Sequence, residues 1–167
     1  MTTTKFKGNT IHLDNTFVTI GQRAPEVKLV KNDLSTFTLS ECKDKYVVMN
    51  IFPSIDTGVC ATSVRKFNQL AASLDNTVVL CISRDLPFAQ SRFCGAEGIE
   101  NVLVLSDFRR ECTFGSDYGL SITDGPLAGL LARAVIVVAP DGTICHAELV
   151  PEITTEPNYE AAIKAIR

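Results

Sequence analysis

The sequence predicts an α/β domain: a mixed central sheet flanked by helices, with an N-terminal β-hairpin extension. Three observations carry this reading. Short runs of nearly continuous apolar residues at 46–52, 78–82 and 102–105 are separated by stretches of helical period, as expected of strands buried on both faces and joined by crossover helices. Asp141-Gly142 stands between two further apolar runs, a strong hairpin signal. The length, 167 residues of which 46% are hydrophobic and 21% charged, suits one domain spanning 1–167.

Taken in order, Lys5-Phe6-Lys7 and Ile11-His12-Leu13 flank the turn-forming Gly8-Asn9-Thr10 and predict a hairpin within residues 5–20. An extended Val27-Lys28-Leu29-Val30 follows Pro25, and Phe37-Thr38-Leu39 leads into a turn or helical cap at 40–44. Tyr46 to Phe52 is the first core strand, ended by Pro53. Val64, Phe67, Ala71 and Leu74 recur three, four and three residues apart, the apolar stripe of a helix over about 59–74. Val78–Ile82 is the next strand. Asp85-Leu86-Pro87 opens a second helix, with proline where its missing N–H costs little, and Gly95 and Gly98 help to end it. Val102–Leu105 is a third strand. Residues 106–130 are irregular, with a short helix expected around 109–118. Ala134–Val138 and Thr143–Val150 form the hairpin through Asp141-Gly142, and a last helix runs from about 157 through Tyr159, Ala162, Ile163 and Ile166.

The order is therefore β-α-β-α-β, a hairpin, and a helix. Crossover helices require the early strands to be parallel, and the hairpin adds an antiparallel edge. This is the order of a thioredoxin-like fold with additions, although other α/β domains share it.

Net charge is −3, and the basic clusters are no longer than Arg65-Lys66 and Arg109-Arg110, the latter flanked by Asp107 and Glu111. That argues against nucleic acid as a partner, because phosphate binding rests on clustered Lys and Arg. The N-terminus lacks the apolar region of a secretory signal, and no segment approaches the ~18 apolar residues that span a membrane. A cytoplasmic location is expected, and in a reducing compartment six cysteines point to transient or catalytic chemistry more than to standing disulfides.

Cys81 and Cys145 lie inside strands and read as core packing. Cys42 and Cys112 sit in less regular segments with nothing nearby to activate them. Metal is not expected: Cys-x-x-Cys and Cys-x-x-His pairs are both missing, Cys145 and His146 should point to opposite faces of a strand, and His12 stands alone. Cys60 differs. It follows a strand and a loop and opens a helix, where unpaired N–H groups and the positive end of the dipole favour a thiolate, the reactive form. Thr57, three residues upstream, can bring its hydroxyl toward the sulfur. A small apolar residue filling a helix start is the competing reading. Neither histidine has a partner for a general-base triad, so activation must be electrostatic. Arg133 is the candidate, since it interrupts an apolar run where an unpaired charge is costly. In a thioredoxin-like sheet its strand runs antiparallel to the one before Cys60, which sets Arg133 beside the point where Cys60 emerges. Its rigid fork of donors suits a thiolate together with further oxygen acceptors. An arginine that simply reaches solvent remains the alternative.

Pro53-x-x-x-Thr57-x-x-Cys60 matches the active-site motif of the peroxiredoxins. The longer run from Asn50 to Phe67 resembles the bacterial thiol peroxidases, their atypical two-cysteine branch. So do the segment Asp85 to Glu97, Asp124-Gly-Pro-Leu127 with Ala132-Arg133-Ala134, and Glu152-Ile-Thr-Thr-Glu-Pro157. The resemblance implies that Cys60 is the peroxidatic cysteine and Cys94 the resolving one, joined in a disulfide at each turnover. It implies that Pro53, Thr57 and Arg133 shape the peroxide pocket. It also implies hydrogen peroxide and organic hydroperoxides as substrates, thioredoxin as reductant, no cofactor or metal, and a homodimer. Two rival readings are a dithiol oxidoreductase, disfavoured because Ser63 stands where Cys-x-x-Cys needs its second cysteine, and a redox-silent binding module in which Cys60 merely packs.

Overall fold

The computed structural model describes residues 2–166. A two-stranded hairpin comes first, β1 (Thr3–Phe6) and β2 (Asn9–His12), followed by β3 (Lys28–Val30), β4 (Thr36–Thr38) and a 3₁₀ turn at Leu39–Cys42. The alternating part is β5 (Tyr46–Ile51), α1 (Gly58–Ala71), β6 (Thr77–Ser83), α2 (Pro87–Glu97) and β7 (Leu103–Ser106). A one-turn helix α3 (Phe114–Asp117), the hairpin strands β8 (Ala134–Val138) and β9 (Ile144–Leu149), and α4 (Tyr159–Lys164) complete it. Among the described residues no helix is long and apolar enough to cross a membrane.

Seven strands form one sheet in the order β4-β3-β7-β6-β5-β8-β9. β5, β6 and β7 run parallel, while β8 is antiparallel to β5 and β3 to β7. The expected mixed thioredoxin-like sheet is therefore present. The two crossovers step across it in the same direction, so their common right-handedness places α1 and α2 on one face. Packing agrees: Val48, Val79, Cys81, Val135 and Val137 meet Cys60, Val64 and Phe67 of α1, Phe93 and Cys94 of α2, and Ala162 of α4. The opposite face, with Met49, Ile51, Leu80 and Ile136, is covered by Ile11 and Leu13 of the N-terminal hairpin and by Phe114, Tyr118, Leu120 and Leu131. The alternation along each strand thus divides one apolar run between two cores.

Several elements depart from the sequence reading. The hairpin is shorter and earlier than residues 5–20, and its turn is Lys7-Gly8, at φ 50° and 82°, instead of Gly8-Asn9-Thr10. A two-residue turn of that hand needs positive φ at both positions, which glycine tolerates and lysine does not favour. The Glu152 carboxylate accepts both turn amides, from Lys7 N at 3.1 Å and Gly8 N at 2.7 Å, and so compensates the strain. The helix expected over 109–118 shrinks to Phe114–Asp117, because a turn closed by Cys112 N donating to Arg109 O precedes it. Gly98, at φ 64°, ends α2 in the left-handed conformation, whereas Gly95 lies within the helix. Cys145 is the extra residue of a β-bulge, since Val137 pairs with His146 and Val138 with Ile144. Both Cys145 and His146 consequently face the α1/α4 side, contrary to strict alternation.

Asp107, at the end of β7, is buried against Arg84 at 3.2 Å, and burial pushes its carboxyl up to about 6 despite that guanidinium. A folded-state value above the unfolded one means that the neutral form favours folding. This contribution is complete below pH ~4 and is lost as pH rises through ~6. Asp107→Asn is therefore expected to gain Tm relative to the parent as pH rises from 4 to 7, by a few degrees and at most about 3 kcal/mol. A Tm difference flat across that range, read by circular dichroism, would contradict the assignment.

Candidate active site

β5 delivers the chain to the carboxyl edge of the sheet. Phe52 still donates its N–H to Ile82 O, at 3.1 Å, and then Pro53, itself buried, ends the ladder. Ser54 to Thr57 make a turn closed by Thr57 N donating to Ser54 O at 3.2 Å. Thr57 is the extended N-cap of α1, so Cys60 falls in the first helical turn. The stripe Cys60, Val64, Phe67 faces the core and pulls the sulfur inward, leaving Cys60 with no exposed surface. The Thr57 hydroxyl donates to Ser54 O at 3.2 Å, and in this state it braces the turn and not the sulfur.

Arg133 arrives from the other direction. Ile51 pairs with Ala134, which sets the residue before β8 beside the end of β5. Arg133 is only 1% exposed, so the alternative of a side chain reaching solvent is excluded. Its Nε donates to Ile153 O at 2.7 Å and its Nη2 to Cys60 Sγ at 3.1 Å. Nη1 is buried and has no protein partner. A guanidinium fixed at its stem, touching the thiol and carrying a spare donor, can bind an oxygen brought up to the sulfur and stabilise the charge that leaves with it.

Cys94 is half-buried on α2, on the same face of the sheet as Cys60, and all six cysteines are thiols here. Burial pushes its thiol up, with a hydrogen bond from Asn32 pulling the other way. Between α1 and α2 runs a groove of about 420 Å³, walled by Ile55, Thr57, Gly58 and Ala61 on one side and by Phe93 and Ala96 on the other. Two ion pairs cross it: Arg65 meets Glu97, and Arg92 meets Asp56 at 3.5 Å.

Sequence reasoning missed a polar layer beneath these residues. Asn50, in the middle of an apolar strand, donates to Ser63 Oγ at 3.1 Å and to Cys81 Sγ at 3.7 Å, and Ser63 Oγ donates to Cys60 O at 2.7 Å. An amide inside an apolar run was the available signal, of the same kind that exposed Arg133. Cys81 is a packed thiol, its burial pushing it up to about 12. Burial likewise raises Cys42 and Cys112. Cys145, half-buried, donates to Ala165 O at 3.7 Å. His12 does not stand alone, since its Nδ1 lies 2.6 Å from Asp124 on the surface. Among the described residues no three His, Cys, Asp or Glu side chains gather as a metal site would require.

A buried thiol at a helix start, held by a guanidinium on a thioredoxin-like sheet, is the arrangement of a thiol-based oxidoreductase. The redoxin family model matches residues 19–163. The thiol peroxidase of Mycobacterium tuberculosis is 53% identical over 160 residues, covering 96% of this chain and 95% of that protein. Among solved structures, a peroxiredoxin-like protein from Aquifex aeolicus superposes with a TM-score of 0.91 at 43% identity, over 98% of this chain and 95% of that one. Thiol peroxidase from Chromobacterium violaceum gives 0.89 at 20% identity over the same shares, a likeness of fold. The chain belongs to the redoxin family, and within it to the thiol peroxidases: it is a thiol-dependent peroxidase of the peroxiredoxin type.

Arg133→Met keeps the length and the apolar stem of the side chain but removes every donor. It is expected to fold and to lose about 10- to 100-fold in the second-order rate of thiol oxidation by peroxide, the range for a hydrogen bond to a charged group. Stopped-flow oxidation with circular dichroism checks this. A parental rate in a folded variant would remove Arg133 from the chemistry.

Proposed function

We propose that Cys60 is the peroxidatic cysteine, Cys94 its resolving partner, and that Pro53, Thr57 and Arg133 form the peroxide pocket. The observation that carries this is the 3.1 Å contact between Arg133 Nη2 and Cys60 Sγ, made by a guanidinium with Nη1 to spare. The Cys60 thiolate attacks the terminal oxygen of a hydroperoxide. The O–O bond breaks, the sulfur becomes a sulfenic acid, and the leaving oxygen takes a proton to depart as water or an alcohol. Arg133 faces the charge that develops on that oxygen. The Cys94 thiol then displaces water from the sulfenic acid to form the Cys60–Cys94 disulfide. A dithiol reductant, thioredoxin in this reading, restores both thiols by exchange.

Cys60 has no exposed surface and begins α1, while Cys94 lies well inside α2. A disulfide needs Cα atoms within about 7 Å. Resolution therefore proceeds through local unwinding around one or both cysteines, an opening far smaller than unfolding. The whole chain, 1–167, acts as one domain in the cytoplasm, where a dithiol reductant is at hand. It works as a homodimer, for which Leu86, Phe88 and Phe108 offer exposed apolar surface.

Cys60→Ser is expected to abolish peroxide consumption coupled to thioredoxin. Cys94→Ser should still form the sulfenic acid, seen as one added oxygen by intact mass, but should not turn over. Sustained thioredoxin-linked turnover in Cys94→Ser would remove Cys94 from the resolving role. An unmodified Cys60 after peroxide treatment of the parent would return the chain to a redox-silent module. Reduced and oxidised crystal structures that superpose closely through 57–62 and 90–97 would end the unwinding argument.

A further inference from the structure

We propose that Asp85 is a positioning residue for Cys60, a carboxylate latch that holds the peroxidatic turn closed against the corner where α2 begins. This rests on the assignment of Cys60 and Cys94 made above. Both Asp85 oxygens are engaged by the turn that leads into α1. Ser54 Oγ donates to Oδ1 at 2.8 Å, and Ile55 N donates to Oδ2 at 2.7 Å. The same Oδ2 accepts from Ser83 Oγ at 2.6 Å, which anchors the carboxylate to the last residue of β6. The Asp85 carbonyl accepts from Ser106 Oγ of β7, so its backbone is fixed to the sheet as well. The latch thus stands on the sheet, and the part that would open is the turn bound to it.

The second cysteine helix docks on the same anchor. Gln90, fully buried one turn before Cys94, donates through Nε2 to Ser83 Oγ at 3.2 Å and to Leu105 O at 2.8 Å. One hydroxyl therefore joins the docking of the Cys60 turn to the docking of the Cys94 helix. Opening the turn breaks the Asp85 contacts with Ser54 and Ile55. Unwinding α2 breaks those of Gln90.

The two half-reactions need opposite states. Peroxide attack needs the turn closed, because only then does the sulfur sit against Arg133. Disulfide formation needs it open. Loosening the latch should therefore slow the first step and spare or speed the second, a split that general damage to the fold does not produce. Asp85→Ala is expected to lower the second-order rate of Cys60 oxidation by about 10- to 100-fold. It should leave the following disulfide step as fast as in the parent or faster. At excess peroxide it should accumulate less sulfinic acid, since Cys94 then competes better for the sulfenic acid. Asp85→Asn, with one acceptor oxygen left, should fall between the two.

Both steps are read by rapid quench and mass analysis on the full chain. Ser54→Ala removes one bond of the latch without touching its anchor. It should move both rates in the same directions by a smaller factor, and it decides the matter if Asp85→Ala does not fold. Unchanged oxidation rates in the Asp85 and Ser54 variants, or both steps slowed in proportion, would overturn the proposal while leaving the peroxidase reading intact. A parent chain that forms no Cys60 sulfenic acid would overturn both.

Discussion

The buried guanidinium of Arg133 constrains everything around it. A charge with 1% of its surface exposed is tolerated only where partners are supplied. Here two partners come from separate elements, and a third element sets the arginine between them. The register of β8 on β5 brings the residue to the edge of the sheet, the loop after β9 offers Ile153 O to Nε, and the first turn of α1 offers the sulfur to Nη2. Shift any one and a buried donor loses its acceptor. The site is thus specified by the cost of leaving arginine unsatisfied, as much as by the attraction between guanidinium and thiol.

That requirement propagates outward. Ile153 O is held by the turn at 152–155, which Glu152 shapes by accepting from Thr154 N at 3.0 Å as well as from the Lys7 and Gly8 amides. These donors hold its carboxyl well below the usual range, at about 2. The N-terminal hairpin, remote from Cys60 in sequence, therefore supports the stem of Arg133. On the other face of the sheet α1 is packed into the core through Val64 and Phe67, and α2 is docked through the buried Gln90. Exposed ion pairs and the half-buried Asp85 carboxylate tie the turn and the groove between them.

Much of this was legible in the sequence. The apolar runs located all the core strands, because burial on both faces leaves few residue choices. Arg133 and Cys60 stand out because each breaks a local expectation, a charge in an apolar run and a thiol at a helix start. Asn50 breaks the same kind of rule and could have been read likewise. What could not be read depends on contacts between distant segments. The Lys7-Gly8 turn is stabilised by Glu152 and the Ser54–Ile55 turn by Asp85, so neither is written locally. The bulge at Cys145 puts that residue and its neighbour on one face where alternation expects opposite faces, since one extra residue defeats any argument from alternation.

The bulge has a consequence for how the molecule survives its own chemistry. β9 is an outer strand of the seven-stranded sheet. If helices unwind at each turnover, apolar surface is bared for a time, and a flat free edge nearby would invite another chain to add a strand. An extra residue twists such an edge and spoils its repeat, a common defence against aggregation. The segment 21–24 covers the start of that edge, Gly21 N donating to Ile144 O and Ile144 N to Gln22 O at 2.8 Å each. The irregularity at Cys145 interrupts the stretch that follows, so such an opening would offer a neighbour no regular template.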